Sequence, residues 1–362
     1  MQDLRSQPIT ILGAGAIGAT VGALLTEAGY DITLVDIDAA HVRKMQVHGL
    51  HLRGIRGDRM IRVKALHADH LTGPLGVTFL CVKGHHTEAA IKRYAPLLAE
   101  DGYVLSLQNG LNEEVIAAHV GPERTVGAFV HFGADYLEPG IVLLANEQTI
   151  YVGELDGRVS PRVEALQVAL SHVMPTETTT RLSGYLWGKL VYGAVAFVVS
   201  SIDAPVPNVL DNPLGLRLSR QAAQEAWRVG RTQTNRLLPI GSFDPEAFAD
   251  GDDQPRLADA ELMRLADSMR GTLKQHMGIW RDLAIKKRQT EVNTQVGVLC
   301  ERGEAVGVPT PVNAAVLQIV REIERGERGM DWMNLHDMAR LAVMNARLRL
   351  PRTGETGQLG RR

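Results

Sequence analysis

The sequence predicts an α/β fold: an N-terminal Rossmann-type doubly wound parallel sheet, followed by a C-terminal all-helical domain. Three observations predict it. Residues 8–36 run from a short β-branched apolar stretch through a glycine-rich turn and a helically spaced segment into a second apolar stretch. Short apolar runs and amphipathic segments then keep alternating, as a parallel sheet with crossover helices requires. Past Pro175 the strand signals nearly vanish and long amphipathic patterns take over.

Residues 9–12 have the composition of a buried parallel strand. The turn that follows is Gly13, Ala14, Gly15, Ala16, Ile17 and Gly18, a GxGxxG pattern. Each glycine has a task there. Gly13 permits the tight turn, Gly15 lets a pyrophosphate approach bare backbone, and Gly18 lets the helix pack on the strand. The helix start presents backbone N–H groups, and its dipole favours an anion. GxGxxG alone is a weak signal, but here it lies between a strand and a helix. The next strand, residues 32–35, ends in Asp36, where a carboxylate accepts from ribose hydroxyls. The charge of Asp36 disfavours a 2′-phosphate, so NAD is expected over NADP, and Arg43 and Lys44 lie too far along to clamp one.

A helix is expected over 39–48, then a polar hairpin-like excursion over 49–65. Residues 77–82 form the next buried strand, followed by Lys83 and a helix over 87–98; residues 103–107 form another, ending in Gln108, Asn109 and Gly110. Ligands of open α/β sheets bind beyond the carboxyl ends of the strands, which places Lys83 and Asn109 on the functional edge. Weaker strands are expected at 125–130, 141–144 and 149–152, with a helix at 160–170. The domains are therefore drawn at 1–178 and 179–350, with 351–362 a loose tail rich in Gly and Arg. In the second domain, 250–255 reads as an exposed polar loop. Gly307 reads as a helix C-cap, and Thr310 and Pro311 as the N-cap and first residue of the next helix.

The chain has 362 residues, enough for two cores, and a net charge of −2 gives no electrostatic case for nucleic acid or a membrane surface. Its two cysteines, Cys81 and Cys300, read as buried thiols rather than a disulfide. No signal-peptide pattern or membrane span is apparent, so a cytoplasmic location is expected. His67 and His70, His85 and His86, and His131 lack the spacing of a metal site and read as structural; no metal is expected. The helical domain adds Lys189 in an apolar run, where a lysine ordinarily snorkels outward, and Glu291, which alone would be a solvated carboxylate.

Taken together, GAGAIG, Val82-Lys83, Gln108-Asn109-Gly110, Trp187-Gly188-Lys189-Leu190, and Thr290-Glu291 followed by GVPTPVN resemble the ketopantoate reductases (2-dehydropantoate 2-reductases) in order and spacing. The resemblance implies a substrate cleft between the two domains, with Lys189 as catalytic acid and Glu291 beside substrate and cofactor. It also implies that Asn109 contacts nicotinamide ribose and substrate, with Lys83 near the cofactor. The family commonly uses NADPH, which keeps NADP open against Asp36.

The departures are informative. Where the family has two substrate-contacting asparagines after its lysine, this chain has Gly193 and Phe197, and Gly278 falls near a substrate-binding serine. Losing those donors should weaken ketopantoate binding, and Phe197 points to a bulkier, more apolar substrate. The reading is an NAD(P)-dependent oxidoreductase that reduces a 2-oxo acid to the 2-hydroxy acid. One alternative is an NAD-linked dehydrogenase oxidising a bulkier hydroxy compound, and another is a non-catalytic dinucleotide-binding regulator. The expected partner is a small molecule, with a homodimer as the assembly considered.

Overall fold

A computed structural model of the protein describes residues 4–272 and 275–348, so the expected tail at 351–362 lies outside the described residues. The chain divides into two compact units between Leu186 and Trp187.

The first unit is built on an eight-stranded sheet. Its strands are β1 (Ile9–Leu12), β2 (Ile32–Asp36), β5 (Lys64–His67), β6 (Leu75–Leu80), β7 (Leu98–Ser106), β8 (Thr125–Phe129), β11 (Ile150–Glu154) and β12 (Thr176–Thr178). The order is β12-β11-β8-β7-β6-β1-β2-β5, parallel throughout except where β11 meets β8. From β1 the chain builds outward to β2 and β5, then returns to add β6, β7 and β8 on the other side. The order therefore reverses between β1 and β6, the point at which such sheets hold ligands.

Strand side chains alternate between two cores. Ile11, Leu34, Phe79 and Leu105 face one core, and Leu12, Val35, Leu80 and Val104 face the other. The helices α1 (Ala16–Glu27) and α5 (Pro161–Leu170) cover the first face, and α3 (Thr87–Tyr94) and α4 (Asn112–Val120) the second. α2 (Ala39–His48) matches its expected bounds.

The excursion over 49–65 is more ordered than its polarity implies. Its β3 (Leu50–Gly54) and β4 (Arg59–Ile61) join β9 (Ala134–Glu138) and β10 (Ile141–Leu144) in a second, four-stranded sheet of order β4-β3-β10-β9. Its last residues form β5, the edge strand on β2. The expected helix over 87–98 is shorter, because residues 95–97 tighten into a 3₁₀ turn and Leu98 already pairs with Leu75.

The second unit is helical. Its first helix, α6 (Leu182–Ser200), begins in the first unit. By length and composition α6 could cross a bilayer, contrary to the expectation that no segment qualifies; yet 78% of its most apolar window is buried inside the protein. After it come α7 (Val206–Asp211), α8 (Pro213–Gln233), α9 (Gln254–Met269) and the short α10 (Gly278–Trp280), which widens into a π-helical turn over Arg281–Ile285. A second π turn, Asn293–Gly297, leads into α11 (Val298–Ala305), followed by α12 (Pro311–Glu324) and α13 (Met333–Leu348). The polar stretch at 250–255 is a turn only as far as Asp253, and α9 starts at Gln254. Gly307, at φ +71, lies just past the end of α11. Thr310 precedes α12, but its side chain makes no capping bond. Glu225 of α8 performs that task instead, its carboxylate accepting the N–H groups of Val312 and Asn313. Both cysteines are free thiols, and each residue is partly covered.

Candidate active site

The turn after β1 has the geometry its glycines require. Gly13 has φ +94, and a Cβ there would lie 2.8 Å from the Val82 nitrogen, on the loop after β6. A Cβ on Gly18 would strike the Gly13 carbonyl oxygen. Gly15 differs, since nothing lies within 4 Å of where its Cβ would be. Bare backbone thus faces open space at the start of α1, and no side chain caps that helix terminus. Cys81 packs against Gly18, and desolvation there pushes its thiol up, away from the reactive thiolate form.

Asp36 is fixed by backbone. Its Oδ2 accepts the Ala14 N–H at 2.8 Å and its Oδ1 the Asp38 N–H at 2.9 Å. A carboxylate oxygen accepts more than one hydrogen bond, so capacity remains for ribose hydroxyls. An open Gly15, an uncapped helix start and this acceptor fit a dinucleotide.

His41, on α2, was missed in the sequence. It is 1% exposed, and its ring joins the Ala14 carbonyl (Nε2, 2.8 Å) to the Gly140 N–H (Nδ1, 2.8 Å). An N–H donor on Nδ1 and a carbonyl on Nε2 require the neutral ring with its proton on Nε2. Tyr136 packs edge-on against it, 4.9 Å between ring centroids, and donates its hydroxyl to Asp38. The only signal in the sequence was a histidine in the first turn of the helix after Asp36.

Two further loops flank the reversal point. Lys83 follows β6 and Asn109 follows β7, and both are half-buried. One chain of hydrogen bonds ties these loops together. The Gln108 amide donates to the Val82 carbonyl and to the Thr87 hydroxyl, both at 2.7 Å. Thr87 donates to Asn112 at 2.9 Å, and Asn112 donates to the Asn109 carbonyl at 2.6 Å. Thr87 and Asn112 were also missed, although both sit where a helix begins behind one of these loops.

In the helical unit, Lys189 is half-buried and is the one charged residue of α6. The adjacent Gly188 has a packing role, because a Cβ there would strike the Leu238 carbonyl. Gly193 lies one helical turn after Lys189 on the same face. A Cβ at 193 would meet one atom within 4 Å, the Gln295 Oε1, at 3.0 Å. Phe197 corrects an expectation. It is 0% exposed and among the largest fully buried side chains, so it fills the core and offers a substrate no surface. Gly278 is exposed at the start of α10, with nothing within 4 Å of its Cβ position. Glu291 is half-buried and begins the segment leading to α11; its carbonyl accepts the Gln295 N–H at 3.1 Å. Thr290 anchors that start, donating both its N–H and its hydroxyl to Glu324.

Among the described residues no three His, Cys, Asp or Glu side chains gather as metal ligands. His67 serves structure, bonding the Ile37 carbonyl and the Asp69 N–H.

Residues 9–157 match the family described as ketopantoate reductase PanE/ApbA, and residues 181–324 match its C-terminal model. The chain belongs to the ketopantoate reductase family. It is an oxidoreductase of that family and works with a nicotinamide dinucleotide. A 2-dehydropantoate 2-reductase of Archaeoglobus fulgidus is 30% identical over 89% of this chain and 100% of its own length. That of Mesorhizobium japonicum is 28% identical over 88% and 98%. A PanE/ApbA family ketopantoate reductase from Ralstonia eutropha superposes with a TM-score of 0.75 at 25% identity, covering 89% of this chain and 99% of that one. D-mandelate dehydrogenase with NADH and anilino(oxo)acetate shares the fold, with a TM-score of 0.74 at 21% identity over 88% and 99%. Among ketopantoate reductase family features, the match ends at residue 324, so α13 lies beyond it.

Proposed function

We propose that the protein reduces a 2-oxo acid to the 2-hydroxy acid with NADH, Lys189 acting as proton donor. The observation that carries the reading is Lys189 itself, a half-buried ammonium in an otherwise uncharged α6. An ammonium at that position can stabilise the negative charge that develops on a carbonyl oxygen.

Bound nicotinamide supplies the hydride to the carbonyl carbon. As negative charge builds on the carbonyl oxygen, the Lys189 Nζ donates a hydrogen bond to it and then the proton. Glu291 orients that ammonium. Asn109, on a loop held by Gln108, Thr87 and Asn112, would hold the nicotinamide ribose and the substrate, and Lys83 would approach the cofactor. The backbone around Gly15 receives the pyrophosphate, with Gly13, Ala14, Ala16, Ile17 and Gly18 shaping its cradle, and Asp36 accepts from the adenosine ribose. The Asp36 charge supports NADH over NADPH.

The names of the relatives make ketopantoate the first acid to test. The burial of Phe197 withdraws the argument for an aromatic substituent packing on it. The test is a panel of 2-oxo acids with NADH and NADPH, followed by nicotinamide absorbance. Lys189→Ala should lower kcat by about a hundredfold or more and leave NADH binding nearly unchanged. Turnover near wild type in that variant would refute the assignment.

A further inference from the structure

The gap at Gly193 is occupied by an amide from elsewhere in the helical unit. The one atom near its missing side chain is the Gln295 Oε1, 3.0 Å from the Cβ position. Most side-chain contacts are longer, so a residue larger than glycine at 193 makes that amide give way by a few tenths of an ångström. Gln295 is half-buried, and its carboxamide makes no hydrogen bond to another described residue. A partly buried amide without a protein partner calls for one from water or a ligand. Gln295 belongs to the π-helical turn Asn293–Gly297, a rare conformation that recurs at functional sites.

We propose that Gln295 determines substrate specificity, its carboxamide standing over Gly193 and donating to a carboxylate or hydroxyl oxygen of a 2-oxo acid held at Lys189. With Oε1 turned toward Gly193, the NH₂ group is the end left to donate. The glycine is then a requirement of the site rather than a loss, since it clears the path by which Gln295 reaches the Lys189 face of α6. The ligand class is a 2-oxo acid with an oxygen on or beside its substituent. The inference rests on the reading of Lys189 as proton donor, and the experiment separates the two.

Gln295→Leu keeps the bulk and removes the donor, Gln295→Asn shortens the reach, and Gly193→Ala pushes the amide aside. Each is assayed with NADH on a hydroxylated 2-oxo acid and on the same acid without the hydroxyl, beside Lys189→Ala. The expected result is a fall in kcat/KM of at least about tenfold for the oxygen-bearing acid, mostly through KM, with NADH affinity unchanged. Gly193→Asn combined with Gln295→Ala, which returns an amide to the same space from α6, should recover part of that loss. Gln295→Leu and Gln295→Asn that both fold and keep wild-type kcat/KM on every acid would overturn the proposal, even where Lys189→Ala abolishes turnover. Full turnover by Lys189→Ala would instead remove the reading beneath it.

Discussion

The Asp36 carboxylate and the Ala14 amide are hydrogen-bonded at 2.8 Å, so the residue proposed to select the cofactor also braces the loop that cradles it. Replacing Asp36 by alanine would therefore change two properties at once. Asp36→Asn is the sharper variant, because its single amide oxygen can keep the Ala14 bond while the charge is removed, at the loss of the Asp38 N–H bond. We expect wild-type protein to bind NADH more tightly than NADPH, and Asp36→Asn to narrow or reverse that gap. Asp36→Ala should weaken both cofactors together. Calorimetric titration checks this, and tighter NADPH binding by the wild type would contradict it.

His41 braces the same loop from the other side. His41→Leu would leave the Ala14 carbonyl and the Gly140 N–H buried without partners, at a cost of about 1–3 kcal/mol each. The expected outcome is a lower unfolding midpoint and weaker NADH binding, with His41→Gln restoring part of both. Thermal melting with and without NADH measures the two effects. Unchanged affinity in a folded His41→Leu protein would show that the brace does not reach the cofactor.

These two braces mark where sequence reading stops. The path from β1 through the glycine turn to Asp36 was legible because period-2 strands, a helical segment and three glycines agree locally. The bounds of α2 and β10 were legible for the same reason. β5 and the second sheet were not: β5 is an edge strand with no fully buried residue, and β3 finds β10 some ninety residues later. The site divides in the same way. Lys83 and Asn109 follow strand ends, which a sequence displays. The partners of His41 lie 27 and 99 residues away, and the approach of Gln295 to Gly193 depends on how a π turn meets α6. Phe197 misled because one sequence position marks a helix but not which of its faces is covered.

The burial of Phe197 carries its own expectation. Phe197→Asn would open a cavity and bury an amide in it, so a loss of about 3–5 kcal/mol is expected from the lost packing alone. Urea unfolding reads this directly. Gly193→Asn, by contrast, should leave the fold largely intact, since only the end of the Gln295 side chain must move. Comparable stability of the two variants would contradict the placement of Phe197 in the core.

Glu225 gives the helical unit a pH dependence of definite sign. Its buried carboxylate accepts from the Val312 N–H, the Asn313 N–H and the Asn313 side-chain amide, at 2.8–2.9 Å, and so caps α12. Burial raises its pKa to about 7 from the ordinary 4.5, against the lowering effect of those donors. The folded state thus holds this proton more tightly than the unfolded chain does. Stability from this group is fully present below the unfolded value near 4.5 and is lost as pH rises through about 7. A shift of that size corresponds to at most about 3 kcal/mol. The full chain should therefore unfold at a lower urea concentration at about pH 8 than at about pH 5, as far as this group contributes. Glu225→Gln, which cannot ionise, should shrink that difference while giving up one cap acceptor at both pH values. An equal pH difference in the variant and the wild type would show that Glu225 does not titrate on unfolding.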